Sequence, residues 1–265
     1  KRTGLVHQSR MWQPGKDKNF PNDPTKDPSG ALVADNFNET GLTASAAYAI
    51  ATGDNTDAEG IASFTGGKDT VAEGNYSVAM GLRSNAKNTG SFAMGRDTIS
   101  EGEFSFSMGD STTASGYASV AIGSGTDASG DFAIAMGWGG KSLGIASTSM
   151  GEGTWAIGDY STAMGRNTKA RGYVSTAIGC LCEASGNAAI AMGEDTRAYG
   201  NISTAMGGKS RAIGKYSTAM GYDCSAIGIA SFADGSACIT RGESAVAMGS
   251  EVEASGNYSA AFGYK

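Results

Sequence analysis

From Ala47 to the C-terminus the chain sets small against large and charged side chains on a strict 14-residue period. One unit reads Gly165-Arg-Asn-Thr-Lys-Ala-Arg-Gly172 and then Tyr173-Val-Ser-Thr-Ala-Ile-Gly179. In extended chain, successive residues point to opposite sides. Thr168, Ala170 and Gly172 therefore share one side of the first segment, and Asn167, Lys169 and Arg171 the other. In the second segment Ser175, Ala177 and Gly179 oppose Val174, Thr176 and Ile178. Both segments offer their small residues to one narrow interior, which predicts an all-β chain wound as a parallel β-solenoid with two short strands per coil.

Glycine marks the turns. One column runs through Gly53, Gly67, Gly81, Gly95, Gly109, Gly123, Gly137, Gly151, Gly165 and Gly179 to Gly263 without insertion or deletion. A second column, seven residues on, runs from Gly60 to Gly256 and is broken only by Asn88. Asn is the non-glycine residue that best tolerates positive φ, so a left-handed turn is expected at both columns. Residues 47–265 make about fifteen and a half coils, a rod about 75 Å long at the interstrand spacing. Residues 1–46 hold all four prolines (Pro14, Pro21, Pro24 and Pro28) among Lys, Asp and Asn. They read as an irregular N-terminal arm, serving either as a cap over the first coil or as a linker from a preceding module.

The large apolar side chains point away from the interior, in rows. One row is aromatic at Tyr76, Phe104, Phe132, Tyr160, Tyr216 and Tyr258. The next holds Val78, Phe92, Phe106, Val120, Ile134, Ile190, Phe232 and Val246. The third holds Met80, Met94, Met108, Ile122, Met136, Met150, Met164, Ile178, Met192, Met206, Met220 and Met248, ten of the eleven methionines of the chain. Such a stripe exceeds the few hundred Å² that a soluble monomer leaves bare. An interior of Ser, Thr, Ala and Gly also buries little apolar area. Covering the stripe with copies of the same chain, packed in step about a symmetry axis, answers both needs. The last two rows are thus the expected oligomer interface, the charged first segment becomes the outer wall, and the copy number stays open.

Composition narrows the partners. The 41 glycines are periodic but not every third residue, so the chain is neither disordered nor collagen-like. Net charge is -6, and the 20 Lys and Arg spread around the coils form no basic stripe, so nucleic acid is not an expected partner. No stretch approaches the roughly 18 apolar residues that span a bilayer, and no direct membrane insertion is expected. Beginning at Lys1 and ending at Lys265, the chain reads as a piece of something longer.

Motifs with chemistry are few. The lone His7 lies in the arm, and no triad or acid–base spacing appears, so neither catalysis nor a cofactor is expected. The run from Ala135 to Gly-Gly-Lys141-Ser142 resembles a phosphate-binding loop. It keeps the repeat phase, however, and no helical pattern follows. Cys182, Cys224 and Cys238 occupy the inward Ser/Thr column. Cys224 and Cys238 are one coil apart, a distance that admits a disulfide, although small buried filler also accounts for them. Cys182 is three coils from Cys224, roughly 14 Å, too far to share a metal ion. Asp234 stands where methionine belongs in the seam. It marks either an axial polar site, where symmetry-related carboxylates hold water or a cation, or a locally splayed seam. The outward ladder Thr148, Thr162, Thr176, Thr204 and Thr218 permits an ice-binding reading, which Ile190 and the adjoining methionines oppose.

The phrases Ser161-Thr-Ala-Met-Gly165, Ser175-Thr-Ala-Ile-Gly179, Ser119-Val-Ala-Ile-Gly123 and Ser77-Val-Ala-Met-Gly81 resemble the head repeats of YadA-like trimeric autotransporter adhesins, across residues 47–265. The resemblance implies a left-handed parallel β-roll, assembly as a homotrimer, display outside the cell, and attachment to a surface receptor or a matrix protein or glycan. Two features depart from that family. Residues 1–265 themselves hold no stalk or membrane-anchor pattern, and four cysteines are unexpected in a passenger that crosses an outer membrane unfolded. Similar repeats occur in phage and viral fibres, so the shaft of a fibre on a virion surface is the alternative.

Overall fold

A computed structural model describes residues 32–35 and 42–265. The chain winds as a parallel β-solenoid of 14-residue coils with two walls. One wall is a sheet of seventeen strands, mostly five residues long, such as Thr162–Arg166 and Thr176–Cys180. The other is a sheet of sixteen two-residue strands, such as Lys169–Ala170 and Glu183–Ala184. Within the repeat each strand residue pairs with its equivalent one coil on, as Met164 does with Ile178 and Gly165 with Gly179. The long sheet starts before the repeat does. Leu32–Asp35 pairs with Ile50–Gly53 eighteen residues later, four more than elsewhere, and Thr43–Ala44 opens the short sheet. Both strands lie within the stretch assigned by sequence to the arm, the rest of which lies outside the described residues up to position 41.

Inside and outside fall as the alternation predicts. Among the described residues every buried apolar side chain is Ala or Cys, and the largest fully buried side chains are Thr and Cys. Two buried serines bond within their own turn: Ser77 and Ser105 donate to the carbonyls of Gly74 and Gly102 at 2.6 and 2.7 Å. Hydrogen bonding between coils, rather than apolar volume, therefore carries most of the cohesion within one chain. Each coil adds a fixed set, among them Thr176 N to Ala189 O at 2.9 Å and Arg171 N to Ala184 O at 2.8 Å.

The turns correct the expectation about glycine. Gly165 has φ +113°, as the first column requires, but the second-column glycines are not left-handed. Gly172 is needed for closeness instead, since a Cβ on it would lie 2.0 Å from the Gly186 carbonyl oxygen of the next coil. Asn88 likewise lacks positive φ. Its side-chain amide donates to the Glu101 carbonyl, where Gly74 and Gly102 use their backbone N–H to reach the coil below. The left-handed residues sit two positions after each glycine, at Asn167 (φ 52°) and Val174 (φ 54°) in the unit above. Bulky Phe104, Phe132, Tyr160 and Ile202 take that conformation too, which costs about 1 to 2 kcal/mol each. The bonds between coils hold these corners: Val174 N donates to Asp159 O at 2.9 Å, and Asn167 N to Glu152 O at 2.7 Å. The corner aromatics recur every second coil from Tyr76 to Tyr160, with Gly90, Ala118 and Ala146 between them. At the first of these the Phe104 ring leans over Gly90 so closely that a Cβ there would meet it at 2.7 Å.

Candidate functional site

Three surfaces of the rod carry side chains able to meet a partner. The first is the outer face of the long sheet, where the methionine column stands in register: Met80, Met94, Met108 and Ile122 pair in turn, as do Met192, Met206 and Met220. In the single chain these side chains are half-buried or exposed, Met248 reaching 38%. Beside them, Phe92 and Phe106 stack with ring centroids 5.0 Å apart. Asp234 pairs with Met220 above and Met248 below, and its backbone carbonyl accepts the Cys238 thiol at 3.2 Å. The threonine ladder lies on the same face, Thr162 beside Thr148 and Thr176.

The second surface is a corner lined with exposed aromatics. Tyr117 packs edge-on against Phe104 and Phe132 at 5.9 and 5.4 Å, and Tyr160 against Tyr173 at 5.6 Å. The neighbouring positions form a polar ladder. Oδ1 of Asn75, Asp131, Asp159 and Asn257 accepts the backbone N–H of the residue fourteen places earlier at 2.9 to 3.0 Å. These side chains thus replace a missing backbone acceptor at the edge of the coil.

The third surface is the outer face of the short sheet together with the adjoining corner. Ion pairs here link adjacent coils: Arg83 to Asp97 and Arg96 to Asp110 are two-pronged, with contacts of 2.5 to 2.7 Å. Each guanidinium holds its partner carboxyl below the usual carboxylate range, chiefly through the hydrogen bond. All are solvent-exposed, and such pairs add little stability. Farther along, Trp155 lies between Lys141 and Lys169, whose ammonium nitrogens are 5.2 and 5.9 Å from the indole centroid. A shallow depression of about 350 Å³ beside them is lined by Asn167, Lys169, Leu181, Cys182, Glu183, Asp195 and Arg197.

Ala135 to Ser142 crosses from a long strand, Ile134–Trp138, to the short strand Lys141–Ser142 with no helix after it. The amide cradle of a phosphate loop is thus missing. Among the described residues, no three of His, Cys, Asp and Glu gather to hold a metal ion, and no helix is long and apolar enough to cross a membrane. In the structure the four cysteines carry no disulfide, and a thiol count tests the bridge that the spacing of Cys224 and Cys238 admits. Cys182, Cys224 and Cys238 are buried, and burial pushes the Cys224 thiol up to about 11. Cys180 is half-buried and accepts a hydrogen bond from Arg166 Nη2 at 3.1 Å. An aromatic disulfide reagent at neutral pH is expected to titrate one thiol per chain quickly, that of Cys180, and all four after unfolding. Only two thiols after unfolding without reductant would show that Cys224 and Cys238 are bridged.

What sequence reading missed is the grouping of the cations. Pairing of the short strands lines up Lys141, Trp155, Lys169, Glu183, Arg197 and Arg211 on consecutive coils. A tally of charge along the 14-residue columns, coil by coil, would have shown it.

No curated protein matches the chain. A family model described as the YadA head domain repeat (2 copies) matches residues 67–84, 72–98, 100–126, 114–139, 142–168, 156–179, 184–210, 203–223 and 241–265, together more than half of the chain. These stretches hold the glycine turns, the inward Ser and Ala and the outward methionines described above. By its repeat, and by the solenoid that the repeat builds, the chain belongs to the YadA head repeat family.

Proposed function

We propose that the chain is a non-catalytic surface fibre: a homotrimer of parallel rolls, left-handed as in the resembling adhesins, that projects from a cell and attaches it to a host or neighbouring surface. The observation that carries this reading is the apolar stripe on the long sheet, whose methionine column is broken by a polar residue from Met80 onward only at Asp234. It is too extensive to face water, and its side chains are already in register for packing against copies of themselves. With the long sheets turned toward the axis, the short-sheet walls face outward, where a receptor or a matrix protein or glycan would be met. In this arrangement Asp234 brings three carboxylates toward the axis, the proposed axial polar site.

The oligomeric state is the direct test. Light scattering on residues 1–265 is expected to return about three times the 26.7 kDa chain mass at every dilution. A folded monomer would leave the stripe bare and turn attention to the threonine ladder on the same face, with thermal hysteresis as its assay.

One observation favours a second owner for the same rod. Four cysteines, three of them buried, suit a fibre assembled in a reducing compartment, such as the shaft or receptor-binding portion of a phage or viral fibre. Virion assembly genes beside the parent gene would support that reading, whereas a secretion signal and membrane anchor encoded in the gene itself would support the cell-surface one.

A further inference from the structure

The charge of the rod is divided along its length. Residues 138–216 hold eight Lys and Arg against five Asp and Glu, a net of +3. The coils before them, residues 47–137, hold four against eleven, and those after, residues 217–265, two against five. The basic middle is concentrated on the short-sheet wall. Lys141, Lys169, Arg197 and Arg211 share one column, with Arg171 beside it, and between Lys141 and Arg211 the one carboxylate in that column is Glu183, which accepts from Arg171 at 2.9 Å. The same wall between residues 57 and 129 carries Asp57, Glu59, Glu73, Glu101 and Asp127, with Lys87 the single cation there.

Among the described residues, Lys141, Lys169 and Arg211 make no ion pair. Arg197 contacts Asp195 at 2.8 Å. Trp155 holds the ammonium groups of Lys141 and Lys169, two coils apart, 5.2 and 5.9 Å from its ring centroid, which restrains the pair. From Lys141 to Arg211 is five coils, roughly 24 Å, with Lys141, Lys169 and Arg197 recurring every second coil, roughly 10 Å apart. A chain whose net charge is -6 thus presents one single-file row of cations along a flat outer wall.

We propose that this wall, residues 141–211, binds a sulfated polysaccharide of the glycosaminoglycan class lying along the rod axis. The inference rests on the trimer reading to the extent that this wall must face outward. A single file of cations fits one extended polyanion strand, whose sulfates stay ionised at all physiological pH values and match it in charge. A nucleic-acid duplex presents two phosphate rows flanking a groove, and the flat wall has no element to enter that groove. Single-stranded nucleic acid binds through rows of free aromatic faces, and the column from Lys141 to Arg211 holds a single aromatic, Trp155, which two lysine ammonium groups already contact. In the trimer the row occurs three times around the rod, so a long polysaccharide bound to several walls would be held by multivalency.

The test measures binding of the full 265-residue chain to immobilised heparin at an ionic strength of about 0.15 M. The wild-type chain is expected to bind. The triple variant Lys141→Glu/Lys169→Glu/Arg211→Glu is expected to bind at least about tenfold more weakly. Arg83→Glu/Lys87→Glu/Arg96→Glu, which changes net charge by the same amount in the acidic half, should stay within about twofold of wild type. Circular dichroism and solution mass verify that each variant folds, and if the glutamate variant does not, Lys141→Gln/Lys169→Gln/Arg211→Gln takes its place. Failure of the wild-type chain to bind, equal loss in both triple variants, or tighter binding of poly(U) or duplex DNA than of heparin would each overturn the proposal. A chain of trimeric mass that ignores heparin refutes only this inference, whereas a monomeric mass refutes the seam whatever heparin does.

Discussion

Gly165→Ala is expected to break the rod in its middle. Gly165 combines φ +113° with a position where an added Cβ would lie 2.0 Å from the Gly179 carbonyl oxygen, one coil away. Neither fault can relax alone, because sliding the coil aside breaks the pairing of Thr162–Arg166 with its neighbour. Backbone strain and overpacking together should cost about 3 kcal/mol or more per chain. Because a solenoid coil touches only its neighbours, the damage should stay local and divide unfolding into separate steps. Denaturant titration by circular dichroism should show an early transition that the wild-type chain lacks. Lys169→Ala, on the outer wall of the same coil, should stay within about 0.5 kcal/mol of wild type. A Gly165→Ala chain that unfolds in one step at the wild-type midpoint would mean that the coils have room for a methyl group at this column, against the geometry described.

The second large effect falls on the seam. Met164→Lys/Met192→Lys places two ammonium groups per chain on the face proposed to pack against its copies, six in the trimer. Buried without partners, each is costly enough to open the assembly. Light scattering is expected to fall from about three times 26.7 kDa toward the single-chain mass, with aggregates at higher concentration. Within one roll both side chains point away from the interior, so the strand content of the separated chain should survive. Trimeric mass together with an unchanged melting temperature would place this face outside the interface.

Sequence period and alternation revealed the coil, the two walls and the face of each side chain, because a constant 14-residue phase leaves only one way to stack equivalent residues. The corners were not legible. Val174 and Ile202 are β-branched residues held at positive φ, which local propensity disfavours and which only the hydrogen bonds between coils impose. Asn88 misled for the same reason, since it occupies a glycine column where contact with the next coil, not φ, sets the demand. Leu32–Asp35 escaped notice because eighteen residues separate it from its partner strand, which puts it out of phase. The basic wall was hidden by totals. A net charge of -6 averages over an acidic stretch and a basic one, and only the pairing of short strands shows which charges share a face.

Within the repeat, the constant pairing of each strand residue with the one fourteen places on has a hereditary consequence. Near-identical repeats in a gene invite unequal recombination, and an exchange that keeps phase removes or adds whole coils while leaving each outward column continuous. Reach would then change in steps of roughly 4.8 Å while the chemistry of each face is preserved. An exchange out of phase by a single residue would turn the methionines into an interior built for alanine. The genetic unit of variation in such a rod is therefore the coil, and length is a trait that selection can count in whole numbers.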